Sequence, residues 1–320
     1  MIGTVHEGPM IELRRLHRTF GDTHAVNDVS FSVPRGSVFG YIGPNGAGKT
    51  TSMRILATLE LPTSGEAYVA GFSSVNDPDR VRGRLGFMPD GFGTYADTNC
   101  AEYLDFFARS YGVLGRQRTA RLRWVMDFTG LNPLASKPIR GLSKGMRQRL
   151  CLGRALIHDP DVLVLDEPAA GLDPRARIEL RQMIRALASE GKTILVSSHI
   201  LTELAEMCDT VGILEQGRLL ATGSVAEIRN SLRPSRDLLL RVAGDPQPAE
   251  QLLAALACVE KLEQTGSVPA TYRFTIQGDD QQQIDVLRAL SDARIDVLEY
   301  ALLEKSLEDV FLQVTQGHIQ

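Results

Sequence analysis

The chain has 320 residues, 43% hydrophobic and 23% charged, enough for two domains with cores of their own and without any low-complexity tract. A net charge of −4 gives no footprint for nucleic acid, and no apolar run reaches the roughly 20 residues that a membrane-spanning helix needs. Cys100, Cys151, Cys208 and Cys258 form no C-x-x-C pair, so they read as small buried hydrophobes in a reducing cytoplasm rather than a metal or disulfide framework.

Residues 1–10 lack the basic and apolar blocks of a secretory signal and read as a lead-in. Ile11 to His17, Val29 to Val33 and Val38 to Ile42 are β-branched or aromatic runs split by Gly21, Asp22, Pro34 and Gly36, as strands separated by turns are. The third run enters Gly43-Pro44-Asn45-Gly46-Ala47-Gly48-Lys49-Thr50, and Thr51 to Leu59 behind it has helical spacing. Gly65 to Ala70 predicts another strand. From about Asn99 to Leu142 the apolar spacing becomes helical, through Tyr103, Leu104, Phe106 and Phe107 and then Leu122, Val125, Met126 and Phe128. Val162 to Leu165 is a continuous apolar run, as in a parallel strand buried on both faces. Ile178 to Leu187 predicts a helix, Thr193 to Val196 a buried strand, and Glu215-Gln216-Gly217-Arg218 a hairpin turn.

Asn230 to Arg236, with Pro234 and two serines, predicts a linker. Beyond it, strands at Leu238 to Val242, Val259 to Gln264, Tyr272 to Ile276 and Val297 to Leu302 alternate with helices at Ala249 to Leu256 and Ile284 to Leu290. A final helix is expected from Leu307 to Val314. The order βαββαβ predicts a small ferredoxin-like sandwich. The domains expected are therefore 10–230, α/β with a helical subdomain at about 99–142, and 236–320, α+β.

Gly43 to Thr50 fits G-x-x-x-x-G-K-[ST] in full, with a buried-type strand before it and a helix after it. Its glycines let backbone N–H groups turn inward on phosphate oxygens, and the helix that follows adds the positive end of its dipole. Lys49 supplies a mobile charge for the β- and γ-phosphates, and Thr50 a hydroxyl for Mg²⁺. Asp166, at the end of the Val162 strand, can orient Mg²⁺ through water, and Glu167 can polarise the attacking water. Two adjacent acids are also common in a solvated turn. It is the P-loop that gives this pair its chemical meaning.

Leu142-Ser143-Lys144-Gly145-Met146-Arg147-Gln148 resembles the signature sequence of ABC (ATP-binding cassette) ATPases, and it precedes Asp166-Glu167 as in that family. The resemblance covers roughly residues 10 to 230. It implies a P-loop NTPase cassette with a mainly parallel core sheet, an antiparallel β region and an inserted helical subdomain. It further implies that Phe20 stacks on adenine, that Thr51 joins residues 43–50 around the nucleotide, and that Gly171-Leu172-Asp173 is the D-loop. His199, behind Val196-Ser197-Ser198, takes the place of the switch histidine that reaches the γ-phosphate. Ser143 and Gly145 open a helix to about His158 whose N-terminus contacts ATP held by the opposite subunit, so the resemblance implies a homodimer or pairing with a similar cassette. The signature departs from the commonest form at Lys144 and Met146, both usually Gly. Asp90 in Phe87-Met88-Pro89-Asp90 stands where most cassettes have a Gln that touches Mg²⁺ and links to the membrane subunit.

Leu307-Glu308-Asp309-Val310-Phe311 resembles the tail motif of the drug-resistance and sodium-export branch, whose membrane partners are separate ABC-2 type polypeptides. The expectation is an ATPase that powers an exporter from the cytoplasmic face of the membrane through a separate integral permease, with no nucleic-acid partner. The competing class is a soluble ABC ATPase acting on ribosomes or DNA. Those carry paired cassettes, a long coiled-coil insertion or zinc-ligand cysteines, none of which stands here. A P-loop nucleotide kinase would lack the signature and the His199 motif, and a catalytically dead regulator would lack part of the set Lys49, Thr50, Asp166, Glu167 and His199.

Overall fold

The computed structural model describes residues 8–91, 93, 97–224, 226–228, 235–267 and 269–303. The chain divides into two compact units, Met1–Val225 and Ala226–Gln320, each with its own sheet architecture.

In the first unit, β1 (Ile11–Phe20) and β2 (Thr23–Val33) form a hairpin, and β4 (Ser64–Val69) and β5 (Phe72–Ser73) extend it into an antiparallel sheet of order β2-β1-β4-β5. The second sheet contains β3 (Val38–Ile42), β6 (Leu85–Met88), β7 (Val162–Leu165), β8 (Thr193–Ser198), β9 (Thr210–Glu215) and β10 (Arg218–Gly223), in the order β10-β9-β3-β8-β7-β6. Strands β9, β3, β8, β7 and β6 are parallel, and only β10 runs antiparallel, folded back from β9 at the Gln216-Gly217 turn. All four residues of β7 are buried, as its unbroken apolar run demands in a strand covered on both faces. One core joins Leu13, Leu16, Val29 and Phe31 of the antiparallel sheet to Phe39 and Tyr41 of β3 and to Met53 and Ile55 of α1 (Lys49–Leu56). The Phe31 and Phe39 rings stack at 4.7 Å within it.

The helical stretch foreseen from about residue 99 to 142 is in fact two helices and two tight turns. Asn99 caps α3 (Cys100–Ser110) in a reciprocal box with Glu102, its side chain accepting from Glu102 N at 2.9 Å while Glu102 Oε2 accepts from Asn99 N at 3.0 Å. Gly112, at φ +72, ends that helix, and α4 (Gly115–Phe128) follows until Gly130 turns the chain at φ +64. Pro133 and Pro138 then allow only short 3₁₀ turns, Asn132–Leu134 and Ile139–Gly141. The signature helix α5 (Lys144–Leu156) packs on this region closely, since a Cβ at Gly153 would lie 3.1 Å from Val125. The β2 strand starts six residues earlier than expected, because its polar start pairs with the end of β1. The short β6, which carries Gly86, gave no clear signal. A further helix, α2 (Pro78–Arg84), leads into it, and α6 (Pro174–Ser189) and α7 (Leu201–Ala205) complete the unit.

The second unit follows the βαββαβ order. Strands β11 (Ser235–Val242), β12 (Val259–Ser267), β13 (Ala270–Gln277) and β14 (Val297–Leu303) form one antiparallel sheet in the order β12-β13-β11-β14, with α8 (Gln247–Ala255) and α9 (Asp280–Asp292) as the crossovers. Leu238, Leu240, Tyr272, Phe274 and Ile276 face Leu253, Val286 and Leu290 in its core. This is the ferredoxin-like topology. The linker reading needs one correction: Ser235 and Arg236 belong to β11, and Arg236 bonds Asp280 at 2.6 Å and Gln283 at 2.8 Å on α9. The rest of that linker, 230–234, and the final helix expected from Leu307 to Val314 lie outside the described residues.

Candidate functional site

The P-loop lies between β3 and α1, shaped by close approaches that only glycine permits. A Cβ on Gly43 would sit 2.2 Å from Leu214 O, and one on Gly48, at φ +101, the same distance from Ala25 O. The β9–β10 turn braces the loop from outside, Gly217 N donating to Ala47 O at 3.0 Å and Gly217 O accepting from Asn27 N at 2.7 Å. Gly46, at φ +83, has open space around it. Lys49 is buried, and its ammonium is turned back into the loop, donating to Gly43 O at 2.6 Å and Pro44 O at 3.2 Å.

At the C-terminal ends of β7 and β8 the polar groups close into one network. Thr50 Oγ1 donates to Asp166 Oδ2 at 2.8 Å, and Ser197 Oγ donates to Asp166 Oδ1 at 2.7 Å. Ser197 Oγ also accepts from the backbone N–H of Glu167 at 2.8 Å. Asp166 is 1% exposed, and burial raises its carboxyl above the usual range against the two hydroxyl bonds. The charges of Glu167 and Asp90 push the same way. Glu167 sits at φ +48, a left-handed conformation unfavourable for a side chain with a Cβ, and its carboxylate points between Lys49 and His199. Lys49 Nζ is 3.3 Å from Oε1, and His199 Nδ1 is 2.9 Å from Oε2. A carboxylate only accepts, so Nδ1 carries the proton in this arrangement.

A second cluster lies where α5 and α6 begin. Ser143 caps α5 by accepting from Met146 N at 3.3 Å, and Asp173 caps α6 by accepting from Ala176 N at 2.9 Å. Ser143, Gly145 and Asp173 line one groove with Arg149 and Glu179, and no P-loop residue is in its walls. Phe20, at the end of β1, is 45% exposed.

Known relatives match nearly the whole length of the chain. The chain is 36% identical over 310 residues to the Nod factor export ATP-binding protein I of Ralstonia nicotianae, covering 96% of this chain and 94% of that protein. It belongs to the ATP-binding subunits of ABC transporters. A family model described as "ABC transporter" matches residues 26–170 of this ABC subunit, and one described as "ATP-binding protein DrrA1-3-like, C-terminal domain" matches 223–315. The daunorubicin/doxorubicin resistance ATP-binding protein DrrA of Streptomyces peucetius is 34% identical over 314 residues, 96% of this chain and 92% of its own. A solved structure described as "Structure of ATP binding subunit of ABC transporter" superposes with a TM-score of 0.64 at 30% identity, covering 69% of this chain and 92% of that one. The fold class expected from the sequence is the one found, and as an ABC cassette the protein is a nucleotide-binding ATPase of the transport class.

Within this ABC subunit, Lys49, Thr50, Asp166, Glu167 and His199 come together as one constellation, with Asp90 near enough to act on Asp166. Ser143, Gly145 and Asp173 form the separate groove. Sequence reasoning passed over Ser197, which joins the two acids. Its signal was available: a buried hydroxyl directly behind the Ile194-Leu195-Val196 run needs a partner, and the acids at the end of the neighbouring strand β7 are the nearest ones. Cys100, Cys151 and Cys208 are buried, Cys258 is half-buried, and all four are free thiols.

Proposed function

We propose that this protein binds ATP with Mg²⁺ and hydrolyses it to power an ABC-2 type exporter whose membrane-spanning permease is a separate chain. The observation that carries this reading is the Glu167 carboxylate held between Lys49 Nζ and His199 Nδ1 at the mouth of the P-loop. Residues 43–51 hold the phosphates through backbone N–H groups and Lys49, and Phe20 stacks on the adenine. Glu167 accepts a proton from the attacking water, and His199, which donates to Glu167 through Nδ1, reaches the γ-phosphate as the switch histidine.

The donor set suits a hard divalent ion: a hydroxyl, Thr50 Oγ1, lies 2.8 Å from a buried carboxylate, Asp166, whose two bonds come from neutral hydroxyls. Thr50 would hold Mg²⁺ directly, Asp166 and Asp90 through water. Bound Mg²⁺ supplies charge neutralisation on the β- and γ-phosphates. Burial raises the Asp166 carboxyl, and a divalent cation beside it would favour the ionised form.

The cassette spans 10–230, with its helical subdomain at about 99–142, and the accessory domain spans 236–320. Ser143, Gly145 and Asp173 serve the site of a second cassette, so that a homodimer or a pair of similar cassettes closes on two shared nucleotides. The groove they line, apart from the P-loop, supports this arrangement. No described helix is long and apolar enough to cross a membrane, and the protein sits at the cytoplasmic face through its permease. The relatives' printed roles in Nod factor export and daunorubicin resistance support the export reading.

The test is Glu167→Gln. Phosphate release should fall at least about 100-fold, the scale of a lost general base, while ATP-bound dimers accumulate on a sizing column. Turnover near wild type would remove Glu167 from the mechanism. Capture of a membrane protein with about six apolar helices by the tagged wild-type chain would establish the permease.

A further inference from the structure

The geometry points to Arg18 as the positioning residue that fixes which face of Phe20 receives the nucleotide base, an inference that rests on Phe20 being the base platform. Arg18 and Phe20 are two apart on β1, so their side chains leave the same face of the strand. The Arg18 guanidinium lies over the Phe20 ring with its central carbon 4.2 Å from the centroid. One π-face of the ring is thereby taken, and only the other can stack on a base.

A carboxylate holds the guanidinium there. Arg18 Nη2 bonds Glu60 Oε1 at 2.8 Å, and both side chains are 23% exposed, so the pair is shielded more than most surface pairs. Glu60 stands in the connection that leaves α1, the helix opened by Lys49 and Thr50. Two more bonds join this connection to β1: Thr63 N donates to His17 O at 2.8 Å, and Thr63 Oγ1 accepts from Thr19 N at 3.0 Å. The base platform is therefore tied to the element that carries the phosphate-binding residues. Arg18 Nε is buried and has no hydrogen-bond partner among the described residues, a cost that an apolar side chain here would avoid. What a guanidinium adds is a planar cation against the aromatic face. That cation stiffens the ring and sets the side on which a base stacks.

Arg18 does not reach the phosphates in this scheme, so its effect falls on the base alone. The experiment compares binding of ATP and of inorganic tripolyphosphate by Arg18→Met, Arg18→Lys and Phe20→Ala, each with its melting temperature. Arg18→Met should weaken ATP about three- to fivefold, the range of an exposed cation–π contact, and leave tripolyphosphate unchanged. Arg18→Lys should recover part of the loss, and kcat at saturating ATP should stay within about twofold. Three results would overturn the proposal: ATP affinity of Arg18→Met equal to wild type, tighter binding, or equal weakening of ATP and tripolyphosphate. Tighter binding would mean that Arg18 covers the face the base needs. If Phe20→Ala leaves ATP affinity unchanged, the base platform is elsewhere and the reading beneath the proposal fails with it. If Phe20→Ala weakens ATP while Arg18→Met does not, Phe20 stands and Arg18 alone is dismissed.

Discussion

Burial and chemistry pull in opposite directions at Asp166. Its carboxylate is 1% exposed and raised in pKa by that burial, and the bonds from Thr50 and Ser197 only partly oppose the shift. An acid raised in the fold binds its proton more tightly there than in the unfolded chain. Its contribution to stability is therefore present below the unfolded value near 3.8 and lost as pH rises through the folded value. At neutral pH without nucleotide, Asp166 costs the protein stability. Asp166→Asn keeps the shape and removes the buried charge, so its melting temperature should rise by a few degrees while hydrolysis falls by at least about 100-fold. Differential scanning calorimetry alongside a phosphate-release assay measures both. A melting temperature below wild type would show that the two hydroxyl bonds outweigh the desolvation. Glu167 carries a second local cost, its left-handed backbone at φ +48, of order 1 kcal/mol or more. That conformation accompanies the turn by which the carboxylate faces Lys49 and His199.

Between elements, the joint around His158 couples the core sheet to the helical subdomain. The imidazole follows α5, stacks on Tyr111 behind α3 at 3.8 Å between centroids, and bonds Leu85 O of β6 through Nε2 at 3.1 Å. Nδ1 is buried and unpartnered among the described residues, so a second proton would find no acceptor. Burial pushes the imidazole down to about 4 from its ordinary 6.5. Arg121 and Lys192 push the same way, while the bond to Leu85 and the charge of Asp159 oppose. Because this pKa is depressed in the fold, the stability it allows is complete above 6.5 and is lost as pH falls towards 4. The full loss is about 3 kcal/mol. Urea midpoints taken at pH 7.5 and pH 5 should differ in the wild type, and His158→Gln should shrink that difference. An unchanged pH dependence in the variant would place the titration elsewhere. The periodicity of apolar residues revealed the helices of this region but not their joints. Gly112 and Gly130 ended them, and Pro133 and Pro138 reduced the rest to 3₁₀ turns. The short β6 was missed because four residues around a glycine carry too little pattern, and it is parallel pairing with β7 that makes them a strand.

For the molecule as a whole, a prediction follows from the groove that carries Ser143 and Gly145 apart from the P-loop. Ser143 is exposed and its cap bond is long, at 3.3 Å, so Ser143→Arg should cost only about 0.5–2 kcal/mol in the isolated chain. ATP binding to the monomer should remain, while hydrolysis and the ATP-dependent dimer of the Glu167→Gln background disappear. A fully active monomer, measured by light scattering during turnover, would sink the shared site. The sequence by itself determined the ABC cassette, because the P-loop, signature, acids and histidine are local patterns whose residue types follow from phosphate and water chemistry. It also determined the βαββαβ order of the second unit, since alternation and helical spacing are local too. Only the tertiary structure decided that Ser197 bridges Asp166 and Glu167 and that Glu60 holds Arg18 against Phe20. These two pairings unite residues 30 to 42 positions apart, and no periodicity records distances that sheet order and loop packing set.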